Sequence, residues 1–84
     1  MRHTYILLCS DNSLYTGITT DLERRIQEHN HSPLGATYTK SRRPVTLVRS
    51  TDFSSRSVAA SEEYRIKKLT RKQKLELINT QQQK

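Results

Sequence analysis

The sequence predicts a small α+β domain: a three-stranded, mostly antiparallel sheet packed with helices, in the order β-β-α-β-α-α. Three observations predict it. Two β-rich segments, residues 4–9 and 14–19, are separated by little more than Asp11-Asn12-Ser13, which is turn chemistry and implies a hairpin. A third β-rich segment, residues 45–51, stands alone between stretches that carry helix start signals. The chain has 84 residues, of which 32% are hydrophobic, enough for one thin sheet with helices against it and no second core.

Residues 4–9 are β-branched, aromatic and aliphatic at both parities, so they read as a central strand covered on both faces. Residues 14–19 form its hairpin partner, and Gly17 inside that strand implies close approach of another backbone or a ligand. Thr20 and Glu23 form a capping box that opens a helix. Counted from Leu22 at about 100° per residue, Ile26 lies at about 40° and His29 at about 340°, on one inward stripe. Arg25, at about 300°, sits on the shoulder of that stripe, while Arg24, at about 200°, faces solvent. Asn30-His31-Ser32-Pro33-Leu34-Gly35 ends the helix in a loop, and residues 36–43 are polar and basic up to Pro44. Residues 45–51 are the third strand. Ser54 to Ser57 offer N-caps for a helix over about residues 58–69, and Thr70 with Gln73 caps a last helix running through Ile78. The whole chain reads as a single domain, 1–84, with a core over about 3–78 and a frayed tail over 79–84.

One register follows from the two strand tyrosines. Tyr5 and Tyr15 share a sheet face only if the hairpin loop has an odd number of residues. The expectation is a loop of Asp11-Asn12-Ser13, with Ser10 opposite Leu14.

Charge narrows the class of partner. Lys and Arg number 15 against 8 Asp and Glu, giving +7 and a pI near 10.0. Only Arg2 is basic before residue 24. The rest concentrate in Lys40-Arg42-Arg43 and in Arg65, Lys67, Lys68, Arg71, Lys72 and Lys74. A basic half on so small a domain points to a polyanion, nucleic acid first. An anionic membrane surface fits less well, because the basic stretch has no Trp or Phe opposite it. There is no apolar run long enough to span a bilayer. A lone cysteine, Cys9, makes no internal disulfide or Cys-rich zinc module; it reads as a small buried hydrophobe in a cytoplasmic protein.

Tyr5-Ile6-Leu7, Tyr15-Thr16-Gly17, and then Leu22-Glu23-Arg24-Arg25 with His29 resemble the GIY-YIG nuclease domain. The likeness continues through Gly35-Ala36-Thr37-Tyr38-Thr39, Arg43-Pro44-Val45, and Ala59 to Glu63-Tyr64-Arg65-Ile66-Lys67, and is nearest to the small stand-alone bacterial branch. Thr4 stands where the first motif has Gly, and Thr16 where the second has Ile. The resemblance implies metal-dependent hydrolysis of a nucleic-acid phosphodiester, DNA favoured over RNA, in a repair or recombination setting. It makes Tyr5 and Tyr15 the paired tyrosines, Arg25 the charge clamp, His29 the helix histidine and Tyr38 a further site tyrosine. Glu63 becomes the ligand of a divalent ion, Mg²⁺ or Mn²⁺, and Asn79 the candidate for a late Asn near the metal. Lys40, Arg42, Arg43, Lys67 and Lys68 are the expected nucleic-acid contacts.

The chemistry of that set is coherent. Arg25 offers a planar fork for charge developing on phosphate oxygens. Mg²⁺ needs few protein oxygens, so one carboxylate suffices. A tyrosine, ordinarily near pKa 10, needs help to act as base, and His29 can relay its proton. Plainer readings stand beside each role: half-buried strand tyrosines, a His29 cap on the helix dipole, an Arg25 stem over the core edge, and an ion pair from Glu63 to Lys67. Periodicity does not settle Glu62 against Glu63, since Ala59, Ile66 and Leu69 put Glu62 nearer the stripe centre; only the family pattern selects Glu63. The competing function is a non-catalytic basic nucleic-acid-binding module with the same fold.

Overall fold

The structure is a computed structural model that describes residues 1–82. The elements run β1 (Arg2–Leu8), β2 (Leu14–Thr19), α1 (Leu22–His31), α2 (Thr37–Lys40), β3 (Thr46–Phe53), α3 (Arg56–Lys67) and α4 (Arg71–Gln82). This is the expected α+β order with one added turn of helix, α2, in the stretch read as a polar connection. The sheet has the order β2-β1-β3 and is antiparallel at both junctions. β1 is therefore central. On one side Tyr5, Leu7, Cys9 and Val45 pack with Tyr15 and with Leu22 and Ile26 of α1. On the other, Ile6 packs with Ile66 of α3 and with Leu77 and Ile78 of α4.

The hairpin corrects the expected register. Leu8 pairs with Leu14, Leu7 with Tyr15 and Tyr5 with Gly17, two residues away from a Ser10–Leu14 frame. The Cys9 N–H donates to the Ser13 carbonyl at 2.9 Å, so the loop is Ser10-Asp11-Asn12. Asn12 explains the choice: its φ of 68° fills the left-handed position that closes a three-residue hairpin, which Asn tolerates and Ser does not favour. Asp11 then accepts the Ser13 N–H at 3.0 Å. The loop length stays odd, so both tyrosines remain on the α1 face.

Several boundaries also move. Asp21, not Thr20, caps α1, accepting the Arg24 N–H at 3.1 Å; a carboxylate is the better acceptor at a positive helix end. Ser55 caps α3, which begins two residues earlier than expected and ends at Lys67. β3 reaches Phe53, with Val48 bulged opposite the Ile6–Leu7 step. The capping box of α4 forms as read: Thr70 N–H to Gln73 at 2.9 Å and Gln73 N–H to the Thr70 hydroxyl at 3.2 Å. That helix runs to Gln82, so residues 79–82 are helical rather than a frayed tail; residues 83–84 lie outside the described residues.

Candidate active site

Tyr5 is the centre of the constellation. It is 1% exposed, and its phenol lies across Gly17 on the neighbouring strand. A Cβ on Gly17 would stand 2.5 Å from the Tyr5 hydroxyl, so the glycine makes room for a side chain, not for the backbone or ligand the sequence implied. His29, on the inward stripe of α1, is fully buried and meets the Tyr5 hydroxyl through Nε2 at 2.8 Å. Its Nδ1 lies 2.8 Å from the Thr39 hydroxyl. Arg25, one turn earlier on α1, lies near enough for its charge to act on the Tyr5 hydroxyl.

These contacts set the protonation. Burial pushes the Tyr5 phenol up to about 12; Arg25 opposes that, while Tyr15 and Glu63 add to it. Burial also pulls His29 down to about 4, and the charges of Arg25 and Arg43 act in the same direction against Glu28. At neutral pH the pair is a protonated phenol beside a neutral imidazole. Burial lowers Arg25, but its interactions with Glu28 and Tyr5 outweigh this and hold it above its ordinary value.

Arg25 and Arg24 differ as their helix positions require: their side chains are 26% and 64% exposed. Arg25 Nη1 donates to Glu28 at 2.9 Å and to the Leu34 carbonyl at 2.9 Å, which uses both of its protons and aims the fork. Three donors remain on Nε and Nη2. Tyr15 is half-buried; its ring meets His29 edge-on at 5.2 Å and stacks on Tyr38 at 5.9 Å. Tyr38, on α2, is capped on its ring by the Arg42 guanidinium at 3.9 Å. Tyr5, Tyr15, Arg25, His29 and Tyr38, drawn from β1, β2, α1 and α2, thus form one contiguous cluster.

The two glutamates separate. Glu62 holds Arg65 at 2.6 and 2.9 Å, and that bond lowers its pKa. Glu63 pairs with Lys67 at 3.2 Å, as the plainer reading required, yet its charge also reaches the Tyr5 hydroxyl. No group of three or more His, Cys, Asp or Glu exists among the described residues. A lone half-buried carboxylate suits an ion that keeps its waters, such as Mg²⁺, and its exposed lysine partner is displaced at little cost. Asn79 is exposed on α4, the helix packed beneath the opposite face through Ile78.

The basic residues divide into exposed ones, of which Lys67 is paired with Glu63, and ones tied into the fold. Lys40 and Lys67 are exposed, and Lys68 is exposed with its ammonium 4.3 Å from the Tyr64 ring. Arg42 is tied to Asp11 at 3.0 Å and to the Tyr38 carbonyl at 2.9 Å. Arg43 departs from its expected place at a nucleic-acid surface: its half-buried guanidinium donates to the carbonyls of Glu28, His29 and Ser32, completing the C-terminus of α1. Sequence reasoning missed Thr39 and the turn that carries it. The signal was Gly35, where a Cβ would come within 2.7 Å of the Glu28 carbonyl and 3.0 Å of the His29 Cα, so the following residues are pressed onto α1.

Comparison with known proteins follows the same lines. A family model described as the GIY-YIG catalytic domain matches residues 1–76. A UPF0213 protein of Halobacterium salinarum is 53% identical over 88% of this chain and 95% of its own. One of Staphylococcus haemolyticus is 55% identical over 92% and 93%. The solution NMR structure of the protein EF2693 from E. faecalis is 45% identical, covers 99% of this chain and 88% of that one, and superposes with a TM-score of 0.68. That of a UPF0213 protein from Bacillus halodurans is 44% identical, covers 95% and 85%, and gives 0.62.

Proposed function

The chain belongs to the GIY-YIG catalytic-domain family, and from that premise we propose that it is a metal-dependent nuclease hydrolysing nucleic-acid phosphodiester bonds, DNA in preference to RNA. The observation that carries this reading is the company of one buried phenol: Tyr5 is hydrogen-bonded to His29 of α1 and in ring contact with Tyr15 of β2, with the charges of Arg25 and Glu63 near enough to act on it. Plain structural tyrosines need no such company.

Arg25 binds two non-bridging oxygens of the scissile phosphate with the donors that Glu28 and Leu34 leave unused, and stabilises the charge that grows there. Glu63 would hold the divalent ion in place of Lys67; when bound, such an ion polarises the phosphate and acidifies a nearby water. A phenol at about 12 is ionised to roughly one part in 10⁵ at pH 7, so buried Tyr5 is a poor free base. We assign the water-facing role to half-buried Tyr15. Tyr5, its proton directed at the neutral His29, stays a protonated phenol that orders the floor of the site beside Arg25. Lys40, Lys67 and Lys68 supply backbone contacts without sequence information.

The test is an EDTA-controlled cleavage assay over linear, flapped and branched DNA and over RNA. Mg²⁺ or Mn²⁺ should support cutting, and Arg25→Ala or Glu63→Ala should each reduce it by about 10²-fold or more, with an unchanged circular-dichroism spectrum. Salt-sensitive binding that ignores EDTA, with no cutting of any substrate, would instead establish the non-catalytic module.

A further inference from the structure

We propose that Thr39 is a positioning residue: its hydroxyl fixes the tautomer of His29, and so turns the Tyr5 hydroxyl to leave its lone pairs for Arg25. The effect on cleavage rests on the nuclease reading; the tautomer itself does not.

The hydrogen-bond directions are determined from both ends. The Thr39 hydroxyl lies 3.0 Å from the Ala36 carbonyl, which can only accept, so Thr39 donates its single proton there. Toward His29 Nδ1, at 2.8 Å, Thr39 must therefore accept, and Nδ1 carries the imidazole proton. Nε2 is then a bare acceptor, and the Tyr5 hydroxyl at 2.8 Å donates to it. On the far side the positive charge of Arg25 acts on Tyr5, which favours the phenol's lone pairs over its proton on that side. A pure acceptor at one end and a cation beyond the other bracket three groups with one transferable proton each. Only one orientation satisfies all the bonds.

Removing the Thr39 hydroxyl leaves Nδ1 with no partner in a buried position, and the neutral ring then prefers its proton on Nε2. His29 would donate to the Tyr5 oxygen, and the displaced phenol proton would point at a guanidinium. The order of the site beside Arg25 loosens, although neither Arg25 nor substrate touches residue 39. Gly35 supports the assignment, because its close approach to Glu28 and His29 presses the turn carrying Thr39 onto α1.

The experiment is long-range ¹H–¹⁵N correlation of His29 in the full chain, labelled with ¹⁵N-histidine, at a pH where the ring is neutral. Wild type and Thr39→Ser should hold the Nδ1–H tautomer, and Thr39→Val, nearly isosteric, should raise the Nε2–H population at least tenfold. In cleavage, Thr39→Val should lose about tenfold or more in kcat and Thr39→Ser should recover it. A wild-type Nε2–H tautomer overturns the proposal without any variant, so a Thr39→Val chain that fails to fold does not shield it. An unchanged tautomer in folded Thr39→Val overturns it equally. A wild-type chain that cuts nothing removes the nuclease reading alone, since the tautomer is read without substrate.

Discussion

Mild acidification should destabilise this protein, and most of the loss should belong to one histidine. His29 is pulled from 6.5 to about 4 in the fold, so between those values the unfolded chain binds a proton that the native chain refuses. A depressed base contributes stability that is complete above the unfolded pKa and is lost as pH falls toward the folded one. Between pH 7 and 4.5 the linkage relation gives a loss of about 2 kcal/mol. A chain of this size holds about 4–13 kcal/mol in all, so the loss is a substantial share, equivalent to roughly 10 °C in Tm. Asp11 and Glu62 are both held below their ordinary values of 3.8 and 4.5; their contributions also vanish on acidification, but below this window. The assay is thermal or urea denaturation at pH 7, 6, 5.5, 5 and 4.5 on wild type and His29→Gln, whose amide can accept from Tyr5 and donate to Thr39 without titrating. Wild type should lose stability steadily while the glutamine variant stays flat. Equal slopes in the two proteins would refute the assignment of a desolvated neutral His29.

Gly17→Ala should expel the Tyr5 phenol from its place, because the new methyl would stand 2.5 Å from the hydroxyl and 2.7 Å from Cζ. The expected cost is about 1–3 kcal/mol in denaturation, with loss of the His29–Tyr5 hydrogen bond in NMR; a variant as stable as wild type would mean the strand pair is not this close. Arg43→Met should lower stability by about 1–3 kcal/mol through the α1 carbonyls it uncovers, raise the His29 pKa measured by NMR titration, and leave the salt dependence of DNA binding unchanged. A fall in the salt slope with stability intact would return Arg43 to the nucleic-acid surface.

The sheet, its order of elements and the placement of the two tyrosines on one face were readable because β-rich composition, turn residues and odd loop parity are local properties of the chain. The inward turn of Arg25 and His29 followed from helical spacing for the same reason. What escaped was tertiary in origin. Arg43 and Arg42 look alike in sequence, but one caps carbonyls of α1 and the other braces Tyr38, and no local pattern distinguishes them. Thr39 sits in a four-residue helix too short for a periodic signal. Its partner lies ten residues earlier on another element, so its importance exists only once α2 folds back onto α1. Asp21 displaced Thr20 as cap, although the Thr20–Glu23 spacing matched the rule, because the better acceptor lay one residue further on.

Arg25 and Arg43 also explain how a buried histidine stays neutral in a strongly basic chain. A cationic His29 would be buried close to Arg25 and Arg43, and all three charges would disfavour one another; both arginines accordingly depress its pKa. Keeping the imidazole neutral lets it accept from Tyr5, which in turn frees the phenol oxygen to face Arg25. Arg43 contributes to this from outside the cluster, by closing the helix end and by its field. The capping contact and the chemistry are therefore coupled through one ring. In a chain too short for a separate scaffold, the residues that terminate α1 also set the charge state of the site it carries.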